Sequence, residues 1–214
     1  IMKSTYMDDS LDSTEDSVQG IELYKQLSQL LKLAGMRARK WLSNSEKVLA
    51  HIPPNDRADE IEIEGDHQYG AKTLGVLWLA REDVFIFRYK SPENSFVFSK
   101  RAVLKKVAAL FDPLGFLAPF IIRAKILLQK MWISGLDWDD LLESELRSEV
   151  INWFNEFDDI KGIRIPRCLR LNNSKELLSM SLHVFADASA EAYGAVAYAR
   201  CVYDDNNISC RLVC

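Results

Sequence analysis

Two short acidic motifs are the parts of this sequence best suited to chemistry. The first is Tyr6-Met7-Asp8-Asp9, and strand-like residues on both sides of it predict a hairpin with the aspartates at its turn. Adjacent carboxylates on a rigid turn can converge on hard cations such as Mg²⁺, which two-metal nucleotidyl transfer requires. An ordinary polar turn is the alternative. It is the better interpretation of the other Asp-Asp pairs, which are Asp139-Asp140, Asp158-Asp159 and Asp204-Asp205.

The second motif is Phe185-Ala186-Asp187-Ala188-Ser189, at the end of a predicted strand. Asp187 has only small neighbours, and residues 190–195 then turn into the next strand. One interpretation is a metal-binding aspartate. The other is a buried strand that ends in a capping Asp, and the pentapeptide alone leaves both open.

The first half of the sequence predicts mixed secondary structure around the first motif. Ser13 and Thr14 favour the start of a helix with apolar residues at helical spacing, and Gly35 favours its end. We expect a strand over residues 36–41 and an exposed acidic connection over residues 59–66. A strand pair is predicted over residues 73–79 and 84–89.

The second half predicts three helices followed by three strands. Ser99 can cap a helix over residues 100–111, which Asp112-Pro113-Leu114-Gly115 would break, and a second helix is predicted over 118–134. Asp139 can cap a third helix that keeps an apolar stripe as far as Phe157. The expected strands cover residues 182–187, 193–200 and 208–213.

Bulk composition excludes several classes of protein. The chain has 214 residues, 48% hydrophobic and 27% charged, with a net charge of −4, which argues against a disordered chain and against a wholly basic nucleic-acid binder. Its four cysteines lack CxxC spacing and it has only three histidines, which does not favour a structural zinc site. The longest apolar stretch, residues 116–122, is too short to span a bilayer, so no membrane partner is expected.

Local basic clusters are the candidates for contacts with nucleic-acid phosphates. Arg37, Arg39 and Lys40 lie on the predicted strand, where Arg37 and Arg39 would share one face. A second cluster lies in the helix that follows Ser99, and its members are Lys100, Arg101, Lys105 and Lys106. The alternative for each of these residues is a solvated face with no ligand.

Several ordered blocks of sequence together resemble one known family. The chain resembles the pol polyprotein of Pao/BEL-type long-terminal-repeat retrotransposons over nearly its full length. The blocks that carry the resemblance are Tyr6-Met7-Asp8-Asp9, Ala34 through Asn44, Leu74 through Trp78, Phe111 through Pro119, Gly135 through Asp139, Ile165 through Arg167 and His183 through Ser189.

The resemblance implies an α+β fold in three parts. Residues 1–90 would be the C-terminal part of a reverse-transcriptase palm, residues 98–160 a helical thumb and connection, and residues 180–214 the first antiparallel strands of an RNase H-like domain. By the same resemblance Asp8 and Asp9 match the metal-site acids of the polymerase. Asp187 matches the first nuclease acid, whose small neighbour leaves room for a phosphate.

The resemblance also implies cofactors, partners and a location. The parent polyprotein would use Mg²⁺ or Mn²⁺, bind an RNA or DNA template-primer, and act inside the cell in the cytoplasm, a virus-like particle or the nucleus. The chain's first and last residues suggest a fragment of that polyprotein that lacks the remaining acids of both sites. We therefore expect the fragment alone to bind no metal and to catalyse neither RNA-directed DNA synthesis nor RNA cleavage.

The sequence leaves one alternative function open and disfavours another. A non-catalytic nucleic-acid-binding or interaction module derived from such an element would use the same residues as scaffold. An aspartic peptidase-related region would need Asp-Thr-Gly or Asp-Ser-Gly, and neither tripeptide occurs in this sequence.

Overall fold

A computed structural model describes residues 5–6, 9–63, 66–73, 76–87, 95–171 and 176–214. The chain forms two compact units, Ile1–Val84 and Phe85–Cys214. Helices and antiparallel strands occur in both units, so the fold is α+β, as the sequence predicts. None of the described helices is long and apolar enough to cross a membrane.

The first unit opens with a short hairpin and continues through helices to an antiparallel sheet. Strands β3, β4 and β5 are consecutive neighbours, with Glu60 opposite Tyr69 and Gly70 opposite Leu79. The elements are β1 (Thr5–Tyr6), β2 (Asp9–Ser10), α1 (Ser17–Leu33), α2 (Glu46–Ala50), β3 (Glu60–Ile63), β4 (Asp66–Thr73) and β5 (Val76–Leu79), and β6 (Val84–Ile86) begins at the boundary between the units.

Helix α1 shows how local sequence sets its ends. The N-cap is Asp16, whose carboxylate accepts a hydrogen bond from the Gln19 amide at 2.8 Å, so the helix starts a few residues later than Ser13 and Thr14 suggest. At the other end Gly35 has a φ of +70°, a left-handed conformation that glycine adopts without strain. The amide of Met36 bonds to the Leu31 carbonyl at 2.9 Å, which completes the expected C-terminal cap.

Two predictions for the first unit are wrong. Residues 36–40 form no strand, and of residues 36–41 only Trp41 makes an isolated bridge, to Arg57. Without a strand, the alternation predicted to place Arg37 and Arg39 on one face has no basis, and Lys40, with a φ of +58°, departs from extended backbone. The acidic stretch predicted as an exposed connection instead forms β3 and the start of β4, because strand pairing outweighs the low strand propensity of Glu and Asp.

The strand pair predicted farther along is only partly observed. Thr73 belongs to β4, while β5 begins at Val76. Leu74, Gly75 and Tyr89 lie outside the described residues.

The second unit contains a helical part and a three-stranded sheet. Its helices are α3 (Lys100–Ala108), α4 (Ala118–Ile133), α5 (Ser144–Asn155) and α6 (Phe157–Lys161). The strands are β7 (Arg164–Pro166), which neighbours β6, and then β8 (Leu177–Ala188), β9 (Tyr193–Tyr203) and β10 (Ile208–Leu212). The long strands predicted after residue 180 are confirmed, and β8 starts earlier than expected.

The core of the second unit lies among its helices. Trp153 and Phe157 are fully buried, and rings from the Phe96–Phe98 segment pack against Phe154. The remaining buried members of this cluster are Phe87, Val103, Val107, Leu110, Leu117, Ala124, Leu127, Leu128, Met131, Leu142, Val150 and Ile160. The apolar stripe predicted for the third helix therefore faces the core, although that helix begins at Ser144 and Asp139 does not cap it.

The break between α3 and α4 has a structural explanation. Gly115 has a φ of +75°, and the carboxylate of Asp112 accepts hydrogen bonds from the amides of Phe116 at 2.9 Å and Leu117 at 2.7 Å. These amides precede α4 and would otherwise lack partners within a helix. The Asp-Pro-Leu-Gly block thus starts α4.

We expect Asp112→Ala to lower the free energy of unfolding by about 1–2 kcal/mol, because both amides lose their acceptor. Urea denaturation followed by far-UV circular dichroism would measure it. Asp112→Asn is the matched control and should lose less, since its amide oxygen still accepts one bond. Equal losses for both variants would contradict a capping role for Asp112.

Sheet β10-β9-β8 is antiparallel throughout. A connecting segment crosses one face of it, where the Leu171 amide donates to the Tyr203 hydroxyl at 2.7 Å and the Cys201 thiol contacts the Leu169 carbonyl at 3.6 Å. Alternate residues of β9 on that face, Ala197, Ala199, Cys201 and Tyr203, are buried. The side chains of β8 are exposed from Leu178 to Ala188.

Candidate metal-binding site and nucleic-acid interface

Asp187 lies near the end of β8, directly opposite Gly194 on β9. A tight hairpin follows, in which the Ser189 amide donates to the Ala192 carbonyl at 2.8 Å and the Ser189 hydroxyl accepts from the Glu191 and Ala192 amides at 3.2 Å. This hairpin fixes the register of the two strands, and hence the position of Asp187. The side chain of Asp187 is exposed, so it is not the buried strand end that the sequence left open as an alternative.

The surroundings of Asp187 leave open space. An open depression of about 690 Å³ is lined by Ala186, Asp187, Ala188, Tyr193, Gly194 and Ala195. A Cβ added at Gly194 would meet no atom within 4 Å. One oxygen of Asp187 accepts a hydrogen bond from the Ala188 amide at 2.8 Å. The carboxylate keeps further lone pairs that can bind a cation.

The described residues supply one carboxylate at this place. Among them no group of three or more His, Cys, Asp or Glu side chains is placed to hold a metal ion. Mg²⁺ in proteins commonly takes one or two carboxylates and completes its shell with water and phosphate oxygens. Asp187 therefore fits as one ligand of a divalent cation, and the described part of the chain does not complete the site.

The first acidic motif lies at a hairpin, as the sequence predicts, although Asp9 belongs to strand β2 and not to the turn. Strands β1 and β2 pair with Tyr6 opposite Asp9 and Thr5 opposite Ser10, and the Thr5 and Ser10 hydroxyls lie 3.2 Å apart. Asp8 falls outside the described residues, and for Asp9 only the backbone is described.

The four residues of the predicted basic cluster on α3 have different environments in the structure, and Lys100 is the most buried of them. Its side chain is 3% exposed, its ammonium donates to the Leu136 carbonyl, and it lies 3.8 Å from the centroid of the Trp132 ring. Trp138 stands perpendicular to Trp132 with ring centroids 5.1 Å apart, and its own ring centroid lies 5.3 Å from the same ammonium. Lys100 is thus a buried cation, and its burial argues against the predicted contact with phosphates.

Arg101 and two cations of α4 are held by carboxylates. Arg101 donates to both oxygens of Asp139, at 2.8 and 3.1 Å, while Arg123 pairs with Glu156, and Lys130 donates to Glu149 at 2.7 Å. These hydrogen bonds lower the pKa of Asp139 and the pKa of Glu156 below their ordinary values. The pair with Asp139 neutralises Arg101, which the sequence offered for phosphate binding, and the other two pairs neutralise cations of α4 in the same way.

The remaining candidates differ in their partners. Arg37 donates to the carboxylate of the buried Asp56 at 2.9 Å, and this hydrogen bond raises the pKa of Arg37. Arg39, Lys40 and Lys105 are exposed. Lys106 is half-buried, with its ammonium 6.0 Å from the Phe96 ring centroid.

Sequence reasoning did not single out Gly194 as part of the site. The sequence does indicate where Gly194 lies, because a two-residue loop between Ser189 and Ala192 places residue 194 opposite residue 187 in an antiparallel pair. The acceptors that neutralise Arg101 and Arg123 gave no comparable signal, since each lies more than thirty residues away along the chain.

Comparison with known proteins gives a match to one family model. The family model described as Pao retrotransposon-like RNaseH-like domain matches residues 99–214, which include α3 to α6 and the whole of sheet β10-β9-β8. No curated protein and no solved structure matches the chain. The match covers more than half of the sequence and confirms the resemblance to Pao/BEL retrotransposons: the chain belongs to the Pao retrotransposon-like RNaseH-like domain family.

Proposed function

We propose that Asp187 is a metal-binding carboxylate of an RNase H-type nuclease that cleaves RNA in a retrotransposon pol polyprotein. Membership of the family supports an RNase H-like domain and, with it, a nucleic-acid substrate. The observation that carries the proposal is the exposed Asp187 carboxylate beside an open depression, whose other lining residues are three alanines, Gly194 and Tyr193.

Each residue around Asp187 has a role in this proposal. The Ala188 amide orients the carboxylate by donating to one oxygen at 2.8 Å, and the other oxygen faces the ligand. Gly194 leaves space for a phosphate group, because no side chain covers the sheet there. A divalent cation at this place supplies charge neutralisation and Lewis-acid activation of the phosphate.

One carboxylate holds such a cation weakly, since Mg²⁺ gives up its water reluctantly. Tight binding and turnover require further acids, which we expect from other parts of the polyprotein. From the sequence alone we expect no bound metal; with the exposed Asp187 carboxylate, the chain of 214 residues is instead expected to show weak, local binding of a divalent cation, and still no RNA cleavage.

Binding can be tested on the chain as it stands with Mn²⁺, whose unpaired electrons broaden nearby amide resonances. We expect selective broadening of the Ala188 and Gly194 amides and its loss in Asp187→Asn. Asp159→Asn, which removes an exposed carboxylate on α6, is the control and should keep the broadening. Broadening of the same amides in Asp187→Asn would show that Asp187 is not the ligand.

Cleavage is tested in the pol polyprotein that contains this chain, with an RNA–DNA hybrid as substrate. The proposal predicts metal-dependent cleavage of the RNA strand that Asp187→Asn reduces to background without weakening hybrid binding. Hybrid binding with no cleavage by the unmodified polyprotein would instead favour the non-catalytic nucleic-acid-binding module.

We propose further that the first unit belongs to a reverse-transcriptase palm and that residues 98–160 serve as its thumb and connection. The support for the palm is the β1–β2 hairpin, in which Tyr6 lies opposite Asp9 of the Tyr-Met-Asp-Asp motif. Primer extension by the polyprotein should require Asp8 and Asp9. Extension that survives Asp8→Asn with Asp9→Asn would exclude this assignment.

A further inference from the structure

A cleft lies between two segments of the helical part of the second unit. One wall is the segment before α3, with Phe96, Val97 and Phe98, and the other wall is formed by Leu141 and Leu142 before α5. Arg147 of α5 completes the lining. The space between them measures about 220 Å³, and we call it the Phe98 cleft.

Both walls of the Phe98 cleft are fixed by contacts within the fold. The amide of Leu142 donates to the Phe98 carbonyl at 2.9 Å, which ties one wall to the other. The rings of Phe96 and Phe98 meet edge-on with centroids 5.0 Å apart. Each of them also contacts the ring of the buried Phe154, at centroid distances of 5.4 and 6.4 Å. The cleft is therefore formed before a ligand enters, and binding does not have to order it.

Arg147 differs from the cations that carboxylates hold. Arg101, Arg123 and Lys130 each form an ion pair. No carboxylate in the described part of the chain pairs with Arg147, and its guanidinium instead lies 5.0 Å from the centroid of the Phe98 ring. The side chain is exposed, so its N–H donors are available to a ligand.

The charge of the lining is positive. Arg147 is the only charged residue among the described residues that line the cleft, and the ammonium of Lys106 lies 6.0 Å from the centroid of the Phe96 ring. Asp140 and Glu143 adjoin the lining in sequence, but neither lines the cleft. A volume of about 220 Å³ is below the roughly 300–1,000 Å³ of pockets for drug-sized ligands. The cleft thus suits one apolar ring that carries an anion.

A nucleotide combines these two features. Bases stack on aromatic rings and on guanidinium planes, and phosphate oxygens accept hydrogen bonds from arginine. A base that is paired inside a duplex cannot enter a cleft, so the nucleotide must be unpaired. A peptide that ends in an apolar residue and a carboxylate has related chemistry. The nucleic-acid substrate that family membership supports favours the nucleotide.

We propose that the Phe98 cleft binds one unpaired nucleotide of a single-stranded RNA or DNA segment. The base lies in the cleft against the Phe98 ring, and its phosphate accepts hydrogen bonds from Arg147. This inference rests on the proposed function, from which it takes the nucleic-acid substrate. It adds a contact with single strands that does not involve Asp187.

The test uses the whole chain and single strands of roughly 12 nucleotides, within the usual range for single-strand sites. Oligouridylate and oligothymidylate are each titrated in metal-free buffer, while the amide resonances of Val97 and Leu141 are followed by NMR. Both amides should shift in a saturable way with at least one strand, and the strand that shifts them is the source of the nucleotide. A blunt duplex of the same length should leave them in place.

Variants of Arg147 separate stacking from charge, with fluorescence anisotropy of a labelled strand as the readout. Arg147→Ala should weaken binding by about 5- to 50-fold, because the stacking plane and the phosphate donors are both lost. Arg147→Lys keeps the charge without the plane, so it should recover only part of the affinity. Arg170→Ala is the matched control and should bind as the unmodified chain does, since Arg170 is also exposed and does not line the cleft.

Four results would overturn the proposal. They are unshifted Val97 and Leu141 amides with both strands, the same shifts with the duplex, full affinity in Arg147→Ala, and full affinity in Arg147→Lys. A short peptide that ends in leucine with a free carboxylate is the competing probe. Shifts of the two amides with this peptide and not with the strands would mean that the cleft docks a protein.

Failure of this inference is distinguishable from failure of the proposed nuclease. The titrations of the cleft need neither metal nor cleavage. The Mn²⁺ test at Asp187 needs no nucleic acid, and the cleavage test follows Asp187→Asn and not Arg147. Each site can therefore fail while the other is supported.

Discussion

Replacing Trp153 by alanine is expected to lower the free energy of unfolding of the second unit by about 3–5 kcal/mol. Trp153 is 1% exposed and lies in the centre of the helical core. Its ring stacks on Phe120 at a centroid distance of 4.8 Å and meets Phe157 edge-on at 4.7 Å. Its indole nitrogen donates to the Phe120 carbonyl at 3.0 Å, which ties α5 to the first turn of α4.

The size of that loss follows from adding two effects. Truncation removes an aromatic side chain from a packed core and leaves a cavity that the helices cannot fully close. Urea denaturation followed by far-UV circular dichroism would measure the change.

Trp153→Phe is the matched control for the Trp153 prediction. It keeps a ring but loses the hydrogen bond and part of the volume, so it should cost less, about 1–3 kcal/mol. A loss below about 1 kcal/mol for Trp153→Ala would mean that α5 is not packed as the structure describes.

Substitutions of Lys100 are expected to rank in the order Glu, then Ala, then Met, from the most to the least destabilising. Lys100→Glu puts an unpaired carboxylate against the Leu136 carbonyl and the Trp132 ring, and we expect a loss of about 3–5 kcal/mol. Lys100→Ala loses the packing of the aliphatic chain and leaves the carbonyl without its donor. Lys100→Met keeps most of the volume and loses only the charge-dependent contacts, at about 1–2 kcal/mol.

The measurement for Lys100 is urea denaturation at neutral pH, with tryptophan fluorescence as a second probe. Lys105→Glu is the control, since Lys105 lies on the same helix and is exposed. It should change the stability by less than about 0.5 kcal/mol. If Lys100→Glu were as mild as Lys105→Glu, the burial of Lys100 between the two tryptophans would be wrong.

Lys100 also shows what sequence could not reveal about the candidate interface. The residues that enclose it, Trp132, Leu136 and Trp138, follow it by more than thirty positions, and a helical pattern carries information only about neighbours three or four residues away. Arg101 and Arg123 were ambiguous for the same reason. Their charge was visible in the sequence, whereas the carboxylates that neutralise it are brought near only by the packing of the helices.

The hairpin that holds Asp187 could be predicted well, because its signals are local. Apolar strands flank a short polar turn, and the two-residue loop sets the register without help from the rest of the chain. The strand predicted over residues 36–41 failed for a complementary reason. Arg37 bonds to Asp56, nineteen residues farther along the chain, and Lys40 has a positive φ. Local strand propensity predicts neither of these features.

Gly194 offers a way to test the candidate site by genetic selection. The space beside it is empty and its backbone is not in the left-handed region, so the fold tolerates larger residues there. Folding alone therefore places little constraint on this position. Variants at position 194 could be selected for transposition. The residues accepted there would show how much space the ligand of Asp187 needs, because folding of the sheet tolerates larger residues at this position.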